Sequence, residues 1–237
     1  MTAFDRSRPG NSISTRCAVL ACTVAFLMSA TPLHAAFITT QFTGDANQAL
    51  YLVPDSEQAV GEARYGNGAG NGDWELGVGI DTQQIGQFDQ AQKVWSNGGS
   101  ESFSLDYDGT NLSLEVGTTN VSYNVGALTA DDLFIRVASS VGNSGTLENL
   151  VLNGMSLPDV VSPDGTGDAS WLVVFDGWVS PFELTGDLTF AWSNPSSLRG
   201  SRPSVQFKIA TAVPEPSTLA LAALGMLGLV AWGFTRR

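Results

Sequence analysis

Carboxylates are the main side chains of this sequence that can do acid–base or metal chemistry. The chain has 237 residues with two Cys and one His, and all three, Cys17, Cys22 and His34, precede residue 36. The rest of the chain has no Cys and no His, so it cannot contain a Cys nucleophile, a Ser-His-Asp triad, a zinc site with Cys or His ligands, or a disulfide. What remains is chemistry based on Asp and Glu, on hydroxyls and amides, and on aromatic rings.

One short acidic segment resembles a calcium-binding loop in its spacing. Asp106 and Asp108 stand two residues apart, and Gly109 and Asn111 follow. The twelfth position, where such a loop needs a bidentate Glu, is Gly117. An Asp-Gly pair between two alternating segments is typical of a hairpin turn, which is the structure that we expect here.

A second acidic loop contains Asp159, Asp164 and Asp168 together with two glycines. Oxygen ligands on such a loop can bind Ca²⁺, and an exported protein meets the calcium levels at which weak sites fill. Two prolines in the same loop favour a solvated turn instead, and we favour the turn. Ca²⁺ at these three aspartates is the one cofactor that the sequence suggests.

Four glutamates, Glu75, Glu101, Glu115 and Glu183, are candidates for glycoside hydrolysis, because that reaction needs only two carboxylates. They do not form the close Glu-x-Asp-x-x-Glu cluster of β-sandwich glucanases. Glu75 and Glu115 are expected on solvent-facing sides of strands, since each alternates with apolar residues. We therefore expect no catalytic residues and no enzyme, and a secreted glycoside hydrolase is the alternative.

Tryptophans can stack on sugar rings when their side chains are exposed. Trp192 is in phase with Leu188 and Phe190, so it is expected in the core. Trp178 lies in a predicted turn and is the candidate for ligand binding. An extracellular polysaccharide is the ligand class that an exposed Trp would fit.

The charge distribution bears on the choice of partner. Between residues 36 and 212, six basic residues stand against 21 acidic ones, a net charge of −15. A charge of this sign repels nucleic acid and anionic lipid, so a nucleic-acid partner is excluded.

The first 36 residues are typical of an export signal. A basic start with Arg6, Arg8 and Arg16 leads into an apolar run at residues 17–30 and then into small residues at 35 and 36. The run has 14 residues, short of the roughly 20 that a membrane helix needs. We expect signal peptidase to remove residues 1–36.

The C-terminal end has a second apolar run. Residues 219–234 contain no polar side chain, and Arg236 and Arg237 close the chain. The pattern predicts a transmembrane helix, because a buried helix of a soluble domain would keep a polar face. The terminal arginines should stay in the cytoplasm, which places the preceding domain outside.

Pro214, Glu215 and Pro216, followed by a polar spacer, this apolar helix and the pair Arg236 and Arg237, resemble the PEP-CTERM sorting signal of Gram-negative exported proteins. The resemblance implies cleavage near Pro-Glu-Pro by an exosortase-type membrane protease. It also implies transient anchoring in the inner membrane and delivery to the cell surface or extracellular polysaccharide matrix. It covers residues 213–237.

Residues 37–212 are expected to form one domain, and alternation of apolar and polar residues dominates them. Period two over short segments indicates half-buried antiparallel strands. We predict an all-β, antiparallel two-sheet β-sandwich with jelly-roll-like topology. The predicted strands are residues 37–42, 49–53, 74–80, 103–107, 112–116, 121–125, 133–137, 146–153, 171–176, 188–192 and 205–209.

The strand pattern also resembles the choice-of-anchor domains, small exported β-domains that occur before interchangeable C-terminal anchors. This resemblance implies fold and topology but no activity. We expect an exported, non-catalytic protein with a structural, adhesive or carbohydrate-binding role. The residues that carry the resemblance are 74–77, 103–109, 132–137, 149–154 and 202–209.

Overall fold

Alternating apolar residues pair into two antiparallel sheets. The computed structural model describes residues 38–52, 56–65, 74–80, 86–130, 132–162, 168–175, 181–194 and 202–211. The predicted signal peptide and the predicted C-terminal helix lie outside these residues, and the limits of the domain at 37 and 212 stay predictions.

The first sheet has seven strands, all paired antiparallel with their neighbours. In spatial order they are β1 (Ile38–Thr43), β12 (Ala169–Phe175), β8 (Asp132–Ala138), β14 (Ser204–Ala210), β2 (Ala59–Arg64), β3 (Leu76–Gly79) and β4 (Phe88–Ala91).

The second sheet also has seven strands and is antiparallel. In spatial order they are β10 (Met155–Ser156), β9 (Asn143–Leu152), β13 (Phe182–Trp192), β5 (Ser100–Tyr107), β6 (Asn111–Val116) and β7 (Thr119–Asn124), with β11 (Val160–Val161) pairing to a further part of β9.

The main core lies between the two sheets, because every second residue of a strand points the same way. Phe207 of β14 stacks on Phe103 of β5 across the sandwich, with ring centroids 5.2 Å apart. Leu105 and Leu114 on the second sheet and Ile135 on the first are completely buried in the same cluster. Two antiparallel sheets confirm the predicted all-β fold, and the jelly-roll connectivity stays a prediction.

A second apolar cluster lies on the other side of the first sheet. Phe134, Trp171 and Val173 are buried there, because they alternate with the residues of β8 and β12 that face the main core. Phe42 of β1 and Tyr51 pack against this cluster and stack with rings 4.5 Å apart. The first sheet is therefore buried on both faces over part of its area.

The strand predicted at residues 49–53 does not form at residues 49–52. A 3-10 helix, Asp45–Leu50, includes the first two of them, Tyr51 lies in a turn and Leu52 forms an isolated bridge, while residue 53 lies outside the described residues. Asn47 Nδ2 donates to the Thr43 carbonyl at 2.7 Å, and Tyr51 N donates to the Gln48 carbonyl at 3.0 Å. These local hydrogen bonds favour a helical turn over a strand. The alternation of apolar and polar residues does not predict such bonds.

Strand β2 was not predicted from the sequence. Its residues Ala-Val-Gly-Glu-Ala lack alternation, because they are buried on both faces of the sheet. Glu62 is 6% exposed and accepts a bond from Gln206 Nε2 at 3.1 Å. Ala59 and Ala63 face the main core, and Val60 and Glu62 on the other face are buried as well. A strand that is buried on both faces does not need the half-polar pattern of a surface strand.

The two sides of the sandwich differ. On one side, Asp89 of β4 accepts a bond from the backbone of Ser122 in β7 at 3.1 Å, and Tyr123 Oη donates to the Gly86 carbonyl at 3.0 Å. On the other side, Gln41 Nε2 in β1 donates to the carbonyl of Asp159, the residue before β11, at 2.9 Å. We call this second side the open edge.

Candidate functional site

A pocket of about 330 Å³ lies at the open edge, between β1 and β12 of the first sheet and β11 of the second. We call it the edge pocket. Its volume falls at the lower end of the range for small-molecule sites. Its lining residues are Gln41, Phe42, Thr43, Asp159, Val160, Val161, Ser170 and Trp171.

The pairing of β1 with β12 brings the polar lining residues together. Thr43 is opposite Ser170, and Gln41 is opposite Leu172. Leu172 belongs to the main core, so these residues share the face of the sheet that points toward the other sheet. At the open edge, this face of the sheet therefore has the amide of Gln41 and the hydroxyls of Thr43 and Ser170. Further inside the sandwich, the same face has leucine and valine side chains.

Asp159 is the acidic residue among those that line the edge pocket. Its backbone carbonyl accepts the bond from Gln41, and its Oδ1 accepts a bond from the backbone of Asn149 at 3.1 Å. Asn149 has a positive φ of 54° and lies where the register of β9 with β13 shifts. Asp159 is therefore held by β9 on one side and by β1 on the other.

The predicted calcium residues are only partly described. Asp168 Oδ1 accepts bonds from the backbones of Asp45 at 3.2 Å and of Ala169 at 3.0 Å. Asp164 lies outside the described residues. Among the residues that the structure describes, no group of three or more His, Cys, Asp or Glu is arranged to hold a metal ion. The Ca²⁺ site at Asp159, Asp164 and Asp168 stays a prediction.

The other acidic segment forms the expected turn. Asp108 Oδ1 accepts bonds from the backbones of Thr110 and Asn111 at 2.8 and 2.7 Å, and Asn111 Nδ2 donates to Oδ2 at 2.9 Å. These bonds, those from Asn111 first, lower the pKa of Asp108. Gly109 follows with a φ of 105°, which a side chain would strain. The prediction of a hairpin between β5 and β6 is confirmed.

The expectation that Glu75 faces solvent is wrong. Glu75 is only 2% exposed, and its Oε2 accepts a bond from Trp95 Nε1 at 3.1 Å. Trp95 follows β4 in sequence and packs edge-on against Phe190, with ring centroids 4.7 Å apart. Trp95, 20 residues later in the chain, therefore contacts the Glu75 carboxylate, and alternation with sequence neighbours does not predict this contact.

Glu101 and Glu115 lie on neighbouring strands of the second sheet, but only Glu101 forms an ion pair among the described residues. Glu101 Oε2 forms an ion pair with Lys93 Nζ at 2.5 Å. Glu115 is exposed on the outer face of β6, as its alternation predicts. Neither lies in the edge pocket.

Glu183 has a carboxylate neighbour that the sequence did not indicate. It stands directly opposite Asp106 in the pairing of β13 with β5, on the outer face of the second sheet. Opposite residues of an antiparallel pair have Cβ atoms about 5 Å apart. Asp106 Oδ2 also accepts a bond from Ser104 Oγ at 2.8 Å. Only strand register, which was not predicted, could have revealed this pair.

The tryptophans of the described residues are used in packing. Trp74, Trp95 and Trp171 are at most 9% exposed. Trp192 is half-buried and packs against the main core, as its alternation predicts. Trp178, the predicted ligand-binding residue, lies outside the described residues.

None of the helices in the described ranges is long and apolar enough to cross a membrane. The predicted transmembrane helix at residues 219–234 lies outside those ranges, as do Pro214, Glu215, Pro216, Arg236 and Arg237.

No curated protein matches the chain. A family model for the PEP-CTERM protein-sorting motif matches residues 212–237, directly after the residues of β14 and Thr211. The match confirms the resemblance at the C-terminus, and it does not extend to the β-domain. The motif implies export, processing at the membrane by an exosortase, and sorting toward the cell surface.

Proposed function

We propose that this protein is a non-catalytic component of the cell surface or extracellular polysaccharide matrix, and that its β-domain binds carbohydrate in the edge pocket. Signal peptidase removes residues 1–36. The helix at residues 219–234 then anchors the chain until an exosortase acts near Pro214, Glu215 and Pro216. The domain is of the choice-of-anchor type with jelly-roll-like connectivity.

The edge pocket is the observation that carries the binding role. Gln41, Thr43, Ser170 and Asp159 offer an amide, two hydroxyls and a carboxylate within one concave site. Such groups donate to and accept from sugar hydroxyls, while Val161, with 53% of its surface exposed, supplies an apolar contact. The volume suits one sugar unit of a longer chain.

Binding is favoured over hydrolysis because Asp159 is the one carboxylate among the residues that line the edge pocket. Glycoside hydrolysis by either common route needs two. Asp106 and Glu183 are close enough for such a pair, but they lie on the outer face of a sheet, beside Ser104. An open sheet face does not exclude water from the reacting groups, as an active site does.

The basic residues of the described domain support the exclusion of nucleic acid, because each is engaged within the protein. Arg64 stacks on Trp74, Lys93 pairs with Glu101, Arg136 and Arg202 approach Asp45, and Lys208 pairs with Glu57. A phosphate backbone needs free cations on one surface.

The test is carbohydrate binding by the full-length protein in detergent, measured on an array of bacterial polysaccharides and glycans. We expect binding that falls about five- to tenfold in a Thr43→Ala/Ser170→Ala variant, because two hydroxyl contacts are lost. Thr185→Ala, on the outer face of the second sheet, is the control and should bind as the natural protein does.

Two results would contradict the proposal. One is equal binding by the double variant and the natural protein. The other is release of reducing ends from a polysaccharide that stops in Asp106→Asn or Glu183→Gln, which would establish the hydrolase alternative.

A further inference from the structure

Strand β14 ends two residues before the first residue of the sorting motif. Ala210 is completely buried and stands opposite Asp132 in β8. Thr211 N donates to Ser56 Oγ at 3.3 Å, and Ser56 Oγ donates to the Thr211 carbonyl at 3.0 Å. The matched motif begins at the next residue, Ala212.

Residues 56–58 run alongside the end of β14 and extend its pairing beyond β2. Gln58 N donates to the Ile209 carbonyl at 2.9 Å. Lys208 Nζ pairs with Glu57 Oε2 at 2.5 Å. We call the two bonds between Ser56 and Thr211 the exit clamp, because they are the last described bonds before the motif.

The chain between the exit clamp and the motif tripeptide is very short. Two residues separate Thr211 from Pro214, so three Cα steps reach at most about 11 Å. A protease holds several residues on either side of the bond it cleaves as extended chain. A folded domain of about 175 residues has a radius of gyration near 16 Å. It would clash with the protease before those residues could bind in the active site.

We propose that the exit clamp limits how fast exosortase processes this chain. The protease can bind the residues before Pro214 only when the hydrogen bonds between Thr211 and Ser56 are broken. Release cannot spread far along β14, because that strand is paired on both sides, to β8 and to β2. Opening is therefore a local event at the strand end, and completed folding of the domain slows the processing of its own tail.

This inference rests on the proposed function, namely that exosortase processes residues 212–237. It is tested by pulse-chase labelling of the full chain in exosortase-containing cells. Ser56→Ala removes both bonds of the exit clamp without changing chain length, and we expect processing about two- to fivefold faster. A six-residue Gly-Ser insertion after Thr211 extends the reach by roughly 20 Å and should accelerate processing at least as much.

Two controls separate the possible failures. Ser193 Oγ donates to the Gly142 carbonyl at 3.1 Å, and the next residue, Asn143, donates to the Arg202 carbonyl just before β14 begins. This contact lies at the other end of β14 from Thr211, so Ser193→Ala should be processed at the natural rate. Replacing Pro214, Glu215 and Pro216 by alanine should abolish processing.

Natural processing rates in both Ser56→Ala and the insertion variant, with the alanine motif variant unprocessed, would overturn the exit clamp and leave the proposed sorting intact. Acceleration by the insertion alone would show that length limits the reaction, and would overturn the role of Ser56. Normal processing of the alanine motif variant would overturn the sorting function itself.

Discussion

Arg136 and Asp45 form a two-point ion pair that fastens the 3-10 helix to the first sheet. Arg136 Nη2 lies 2.6 Å from Asp45 Oδ2, and Arg136 Nε donates to Asp45 Oδ1 at 2.8 Å. Trp171 Nε1 donates to the same Oδ1 at 3.2 Å. Asp45 therefore joins β8 and β12 to the start of the 3-10 helix.

Asp45→Asn should destabilise the domain by about 1 kcal/mol, because Arg136 loses a charged partner while 12% of its side chain is exposed. The expected loss of stability is small because the Asp45 side chain is 42% exposed and solvent screens the ion pair. Urea unfolding of the full-length protein measures the change. Glu115→Gln removes the same charge from an exposed site and should change the free energy of unfolding by less than about 0.5 kcal/mol. Equal effects in the two variants would contradict the prediction.

The stability of the domain should fall as the pH drops below about 4. Hydrogen bonds from Arg136 hold the pKa of Asp45 below its ordinary value, and bonds from Asn111 do the same for Asp108. A lowered folded pKa contributes stability that is present above the unfolded value and is lost as pH falls through the folded one. Thermal midpoints between about pH 6 and pH 2 should fall less steeply for Asp45→Asn than for the natural protein. Parallel curves would refute the assignment to Asp45.

Gly61→Ala should destabilise the domain by about 1–3 kcal/mol, because a methyl group would overpack the core. A Cβ at this position of β2 would lie 2.8 Å from Leu105 Cδ1 in the opposite sheet. Leu105→Val shortens that side chain, so the double variant should lose less stability than the sum of the two single variants. Simple additivity in urea unfolding would show that the two positions do not compete for space.

Lys93→Met should cost more stability than the double change Lys93→Met/Glu101→Gln. Lys93 Nζ is bonded to Glu101 and to the Val116 carbonyl, at 3.1 Å, and its side chain is only 6% exposed. Removing the lysine alone leaves Glu101, 24% exposed, without this cation. A double-mutant cycle should give a coupling of about 1 kcal/mol, and a coupling near zero would contradict the prediction.

Replacing Pro214, Glu215 and Pro216 with alanine should leave uncleaved protein in the membrane fraction. The change removes the tripeptide and keeps the apolar run and the two arginines, so membrane insertion should persist while processing stops. Mass spectrometry of both termini, compared between the variant and the natural chain, measures the outcome. A mature C-terminus in the variant would show that the tripeptide is not needed.

Strands on which one face is polar could be predicted from the sequence. Leu112, Leu114 and Val116 of β6 alternate with Ser113 and Glu115, and the structure places them in the core with Glu115 exposed. The hairpin at Asp108 and Gly109 was also predictable, since an Asp-Gly pair and its local bonds need only neighbouring residues. Strand β2 could not be predicted this way, because its residues are buried on both faces of the sheet and do not alternate.

The edge pocket could not be predicted, because it depends on which strands become neighbours. Gln41 and Asp159 are 118 residues apart in sequence. No local pattern states that β1 pairs with β12, or that β11 lies opposite them. Glu75 is a related case, because the bond from Trp95 Nε1 to its carboxylate joins residues 20 apart and forms only in the folded chain.

The sequence by itself determined where this protein travels, because the motif at residues 212–237 is a contiguous pattern. It also determined the all-β class and the absence of Cys and His chemistry after residue 36. The tertiary structure alone decided which polar residues meet at the open edge, that Asp106 stands beside Glu183, and that Ser56 holds Thr211 next to the motif. These contacts join residues far apart in the chain, and strand pairing and register, which create them, are set by packing of the whole domain.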